Sequence, residues 1–211
     1  MMTVTSTDPS WPPLSFSRLL VIATGSVSAA YLPADLSWLR TTYPDLSVTV
    51  ILTPSARQFV TPTALSLITG QEIHIDQWDD DATTAVHVAW NKWAQAILVY
   101  PSTLHYLARL ALGLADSPSL LTIHCANVPV IVAPALPPGG WQSTVTATHV
   151  AAINERPHCQ VIPPVPVRSW TTGDNEGWGC APFAAALGQL ELSSRGLPST
   201  AAPTDAREND Q

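Results

Sequence analysis

At 211 residues, 46% hydrophobic and only 12% charged, the chain is long enough and apolar enough for one domain with a sizeable core. Sixteen acidic against nine basic side chains give a formal net charge of −7, and the lack of a basic patch argues against a nucleic-acid partner. No run of eighteen apolar residues occurs, which argues against a membrane span.

Residues 1–17 read as a mobile arm, without the basic and apolar regions of a signal peptide. Arg18–Ala23 (RLLVIA) is a continuous apolar run, the pattern of a strand buried on both faces. The turn Thr24-Gly25-Ser26-Val27-Ser28 leads into a helix expected over 29–40. Ser47–Leu52 (SVTVIL) is a second such strand, followed by Thr53-Pro54-Ser55 and short helical pieces through residue 67. Residues 72–76 suit a short edge strand, and Asp79-Asp80-Asp81 a solvated loop.

Residues 96–100 form the third strong strand, with its helix over 103–114. A strand over 129–133, a helix over 142–154 and a short strand over 160–162 follow. Residues 165–182 read as irregular, residues 184–192 as a last helix, and residues 193–211 as disordered. Strand–helix alternation with short turns predicts an α/β fold. It is expected to be a Rossmann-like (flavodoxin-like) three-layer sandwich on a parallel, doubly wound sheet, with one domain over 18–192. Cys125, Cys159 and Cys180 are odd in number and lack CxxC spacing, so a reduced, cytoplasmic chain is expected.

Three strand ends carry small or hydroxyl residues: Thr24-Gly25-Ser26-Val27-Ser28, Thr53-Pro54-Ser55-Ala56, and Pro101-Ser102-Thr103. Each directs hydroxyls and unpaired backbone N–H groups to the carboxyl edge of the sheet, where open α/β sheets bind ligands. A phosphate gains from those donors and from the helix dipole. Without a GxGxxG, a mononucleotide fits better than a dinucleotide. His87 stands shortly before the third corner. A histidine titrates near neutrality and suits proton handling at a thiol or a carboxylate. Twenty prolines and eight tryptophans are many for this length. They suit stiff loops, and tryptophans in loops also suit a flat ligand or a subunit interface.

From Arg18 to Gly179 the chain resembles the flavin-dependent cysteine decarboxylases, which include phosphopantothenoylcysteine decarboxylases and peptidyl-cysteine decarboxylases of lantibiotic-type peptides. The resemblance runs through RLLVIATGSVSA, SVTVILTPSARQFV, the segment from His87 to Thr122, PALPPGGW, and Gly173-Asp174 with Gly177 and Gly179. It implies FMN as cofactor and a homo-oligomer, a trimer or a dodecamer, with the flavin at a subunit boundary. It implies that Gly25, Ser26, Ser28, Ser55 and Phe59 hold the phosphate and ribityl chain, and that Pro101, Ser102, Thr103 and Ala135 approach the ring.

By the same resemblance His87 is the catalytic histidine. His105, Leu136, Pro137, Trp141, Thr172, Gly173 and Asp174 would line the substrate site, with a flap near residues 165–182 closing over it. Pro137 stands where the family carries an Asn that binds the substrate carboxylate, and His105 replaces another Asn. His105, Asn127 and the N–H groups of Gly139 and Gly140 are the candidates to replace the lost donor. Thr172 stands where the pantothenate-pathway enzymes carry a reducing cysteine, so the reaction should stop at the oxidised product. Cys180 reads as a flap residue, and no metal site is expected.

The implied activity is FMN-dependent oxidative decarboxylation of the C-terminal cysteine of a ribosomal precursor peptide to an aminoenethiol. Such a product is the precursor of the aminovinyl-cysteine rings of lanthipeptide-like natural products, and other enzymes of that biosynthesis are then natural partners. The alternatives are a phosphopantothenoylcysteine decarboxylase, disfavoured by Thr172, and an FMN-binding non-catalytic partner subunit, favoured by Pro137. A flavin prenyltransferase is disfavoured by His87 and the Trp141 block.

Overall fold

Side chains of the central strands alternate between two apolar clusters. Leu19, Val21 and Ala23 point to one, Leu20 and Ile22 to the other. Both faces of such a strand must therefore be covered, which is the condition for a parallel sheet sandwiched by helices. The computed structural model describes residues 11–79, 83–169 and 172–196. Six parallel strands, β1 (Arg18–Ala23), β2 (Ser47–Leu52), β3 (Ile73–Ile75), β4 (Ala96–Ser102), β5 (Val130–Pro134) and β6 (Cys159–Val161), lie in the order β3-β2-β1-β4-β5-β6. The order reverses between β1 and β4, and the crevice at that switch point is the ligand site of doubly wound sheets.

One face is covered by α1 (Leu32–Thr42), α2 (Pro62–Thr69) and α7 (Phe183–Gly196). The other is covered by α3 (Val86–Trp93), α4 (Leu104–Ala111), α5 (Pro118–His124) and α6 (Thr144–Asn154). The expected three-layer sandwich is therefore present. Among the described residues no helix is long and apolar enough to cross a membrane.

Several boundaries differ from the sequence reading. The first helix is preceded by a 3-10 turn at Val27–Tyr31, and α1 begins at Leu32 with Pro33 in its first turn. β4 extends past Tyr100 to Ser102, because the Pro101 carbonyl still accepts bonds from Thr24. α3 and α5 fall where no helix was expected. The segment expected to be irregular holds an antiparallel hairpin, β7 (Val165–Val167) with β8 (Gly177–Gly179). A Cβ at Gly179 would lie 2.8 Å from Val167 Cγ1, so a residue without a side chain is needed for the strands to meet.

The expected mobile arm is corrected over residues 11–17. Phe16 enters the core, Trp11 stacks edge-on against Trp38 at 5.1 Å, and the Ser15 N–H and hydroxyl donate to Glu191 at 2.7 and 2.9 Å. The tail expected to be disordered from residue 193 is corrected over 193–196, where α7 carries the chain through Gly196. Residues 1–10, Asp80, Asp81, Trp170 and residues 197–211 lie outside the described residues.

Candidate functional site

Thr24 laces the switch point together. Its hydroxyl donates to the Pro101 carbonyl at 2.8 Å and accepts from the Thr103 N–H at 2.8 Å, while its own N–H donates to Pro101 O at 3.0 Å. The turn after β1 and the corner after β4 thus form one buried unit. Thr103 in turn caps α4, accepting from the Tyr106 N–H at 3.3 Å. Ser102 is buried, and its carbonyl accepts from the Ala135 N–H at 2.9 Å, which draws the end of β5 to the same corner.

The turn after β2 joins from the other side. A Cβ on Gly25 would lie 2.4 Å from Ser55 Oγ, so only glycine lets these two turns close. Ser55 Oγ is 3.2 Å from Thr53 Oγ1, and Ser26 Oγ accepts from the Ser28 N–H at 3.3 Å. Phe59 closes the same turn and is exposed. Gly25, Ser26, Ser28 and Ser55 are therefore brought into one hydroxyl-rich patch beside the Pro101-Ser102-Thr103 corner. A phosphate and a flat ring suit this patch, because the turns after β1, β2 and β4 gather hydroxyls at the start of helical turns.

The 134–141 block and the hairpin form a second unit. Leu136 and Trp178 exchange two backbone bonds, N to O at 2.8 Å and 3.2 Å, and the Trp178 indole N–H donates to Gln142 Oε1 at 3.1 Å. Pro137 is exposed at the start of a turn closed by the Gly140 N–H donating to Pro137 O at 2.9 Å, with Gly139 at φ +73°. That bond occupies Gly140, so it does not replace the lost carboxylate donor. Asn127 is corrected as well, since it precedes β5 and lies at the opposite edge of the sheet. Exposed His105, in the first turn of α4, and the Gly139 N–H remain.

Trp141 is half-buried below that turn, and Ala135 and Leu136 are buried. Thr172, Gly173 and Asp174 form the exposed tip of the hairpin. Arg168 Nε donates to Gly173 O at 2.6 Å, the Ser169 N–H to Asp174 O at 2.8 Å, and the Thr172 hydroxyl to Glu176 at 2.9 Å. The described part of the expected flap is thus a hairpin fastened to Leu136. Cys180 sits at its base with the thiol donating to Ala133 O at 3.3 Å. Burial pushes that thiol far above its usual pKa, so it is a packed group and no nucleophile.

His87 lies elsewhere. It occupies the first turn of α3, half-buried, in a cleft of about 570 Å³ whose walls include His74, Gln77, Trp78, Thr84 and Trp90. The ends of β3 and β5 are four strand spacings apart, about 19 Å. One chain therefore keeps His87 away from Pro137 and the hairpin. Sequence reasoning placed Thr24 in the first hydroxyl turn without singling it out, and it missed Trp78, whose position three residues after a short strand was its only signal. Among the described residues no group of three or more His, Cys, Asp or Glu is placed to hold a metal ion.

Residues 13–182 match the model of the Flavoprotein family. The chain belongs to the Flavoprotein family. It is 33% identical over 150 residues to cypemycin cysteine dehydrogenase (decarboxylating) of a Streptomyces species, covering 71% of this chain and 77% of that one. It is 32% identical over 146 residues to a bifunctional coenzyme A biosynthesis protein of Haemophilus influenzae, covering 68% of this chain and 36% of that longer protein. Among solved Flavoprotein-family structures, the cypemycin decarboxylase CypD superposes with a TM-score of 0.71 at 28% identity, over 88% of this chain and 97% of that one. The FMN-dependent cysteine decarboxylase SpaF superposes with a TM-score of 0.72 at 25% identity, over 87% and 99%.

Proposed function

We propose that this Flavoprotein-family enzyme binds FMN and oxidatively decarboxylates the C-terminal cysteine of a ribosomal precursor peptide, leaving an aminoenethiol. The observation that carries the reading is the laced carboxyl-edge corner, in a chain similar to a cysteine-decarboxylating relative over most of both lengths. Gly25, Ser26, Ser28, Ser55 and Phe59 would hold the phosphate and ribityl chain, and Pro101, Ser102, Thr103 and Ala135 the ring. Bound FMN supplies two-electron oxidation of the cysteine Cα–Cβ unit.

The chain's own residues do the rest. His87 takes or returns the proton at the substrate sulfur. Leu136, Pro137, Trp141 and the hairpin tip at Thr172, Gly173 and Asp174 receive the peptide end. The Gly139 N–H and His105 are the groups that would meet its carboxylate. With Thr172 in place of a thiol at the tip, nothing there returns electrons, and the unsaturated product is released. The separation of His87 from Pro137 supports a site shared between copies, in a trimer or dodecamer, where one copy's His87 faces another's 134–141 block.

The test uses purified chain carrying its flavin. Peptides ending in cysteine should lose carbon dioxide and two hydrogens by mass spectrometry. Loss of carbon dioxide alone would instead indicate a saturated product. Bound FMN with no turnover would favour a non-catalytic partner subunit, the reading that exposed, donor-less Pro137 supports. A colourless protein would sink both.

A further inference from the structure

A histidine that moves protons needs its ring held in one orientation, and the usual holder is a hydrogen bond to its second nitrogen. Among the described residues His87 lacks that holder. Its Nδ1 is buried, and no hydrogen-bond partner for it exists among the described residues. We infer that Trp78 is the positioning residue of His87, fixing the imidazole by ring contact where other sites use a carboxylate or a carbonyl. The inference rests on the proton-handling role proposed for His87.

The two rings meet edge-to-face, with centroids 5.9 Å apart and planes at 77°, a preferred aromatic geometry. Trp78 is 43% exposed, so core packing does not explain its placement. It is nevertheless anchored. Its indole N–H donates to Asp116 O at 3.1 Å, and the Asp116 side chain accepts from Arg109 Nε and Nη2 at 3.0 and 2.6 Å.

Two residues before it, the buried Asp76 directly follows β3. It accepts from the Ser117 hydroxyl at 2.8 Å, the Ser119 N–H at 2.7 Å and the Ser119 hydroxyl at 2.7 Å, all at the start of α5. The Ser119 hydroxyl also lies 2.8 Å from Tyr106 Oη. α5 packs on α3, the helix that carries His87. Trp78 is thus tied to α4 and α5 on one side and touches His87 on the other. His74 and Trp90, 5.5 Å apart, close the rest of the cleft.

The experiment compares Trp78→Leu with Trp78→Phe in the flavin-loaded full chain. Trp78→Phe keeps a ring and loses the indole bond to Asp116. Trp78→Leu should lower kcat by about tenfold to a hundredfold, the loss expected of a misplaced catalytic group, with KM, FMN content and melting temperature close to wild type. Trp78→Phe should recover most of that loss. The second readout is the ¹⁵N signature of the His87 ring, identified by its disappearance in His87→Asn. It should shift in Trp78→Leu and return towards wild type in Trp78→Phe. An unchanged signature in Trp78→Leu, equal defects in both variants, or an effect confined to KM would overturn the inference. Unchanged turnover in His87→Asn would instead remove the proton-handling role, and the ring signature would still judge the positioning.

Discussion

The carboxyl edge of this sheet has two flanks built on opposite principles. At the β1–β4 switch point, buried Thr24 joins two turns with three hydrogen bonds, and Gly25 lets a third turn close to van der Waals limits. At the β3 flank, His87 sits half-buried in an open cleft and is met by an aromatic ring, its Nδ1 without a hydrogen-bond partner among the described residues. The first flank is tied together by bonds within one chain, as suits the cofactor cradle proposed for it. The second is open, as suits a group that meets a substrate carried in from outside.

Breaking each flank should therefore give different losses. The largest effect is expected at the open flank. His87→Asn should reduce turnover by about 10²- to 10⁴-fold, the usual worth of a general acid–base group, with FMN content and melting temperature unchanged. Mass spectrometry of a cysteine-terminal peptide and the flavin absorbance of the same sample check both halves. Retained turnover would strike His87 from the mechanism.

At the closed flank the loss should fall on the cofactor and the fold together. Gly25→Val drives a side chain into Ser55, and overpacking of this kind costs about 1–3 kcal/mol. Purified Gly25→Val should arrive pale and unfold at lower urea; a yellow protein of wild-type stability would show that the two turns have slack. Thr24→Val strands the part-buried Thr103 N–H, and an unpaired donor shielded from water costs about 1–3 kcal/mol. Flavin affinity should fall in step, and Thr24→Ser should restore both. A valine variant with undiminished flavin binding would mean that the lacing serves the fold alone.

A smaller effect separates the hairpin from both flanks. Gln142→Ala removes the acceptor of the Trp178 indole and leaves the Leu136–Trp178 backbone bonds in place, for a loss of about 1 kcal/mol. Amide exchange should quicken at Trp178 while the Thr103 N–H stays protected. Uniform quickening would show that hairpin and corner open as one.

The smallest effect is electrostatic. Asp35 on α1 is pushed up to about 6 by burial, and its Oδ2 has no hydrogen-bond partner among the described residues. A carboxyl raised in this way favours the folded state when protonated, so its contribution is present below the unfolded value of 3.8 and fades as pH rises towards 6. Asp35→Asn should raise the melting temperature at pH 8 and change little near pH 4. An equal shift at both pH values would assign the effect to packing.

Much of the cradle was legible before any coordinates. RLLVIA and SVTVIL are strands with the bounds read from sequence, because a parallel strand buried on both faces leaves an unbroken apolar run. The hydroxyl turns were visible for the same reason, as they interrupt those runs. α3 was not, since VHVAWNKW is rich in valine and aromatic residues and has no capping side chain at Ala85. Nor could linear order reveal that His87 and Pro137 sit on opposite sides of the switch point. That separation follows from β4 and β5 being laid down on the far side of β1. The hairpin escaped notice because its strands are three residues long and carry Pro166, Gly177 and Gly179, which all weaken a strand signal.

The inward-facing Cys180 thiol bears on chemical self-protection. An enzyme that generates reactive sulfur species beside its own cysteine invites mixed disulfides, and such exchange requires a thiolate that can reach the surface. Cys180 is held protonated against the Ala133 carbonyl, beneath the hairpin that would receive the peptide. If the hairpin receives the peptide as proposed, a thiol held in this way offers no ready thiolate to the substrate sulfur.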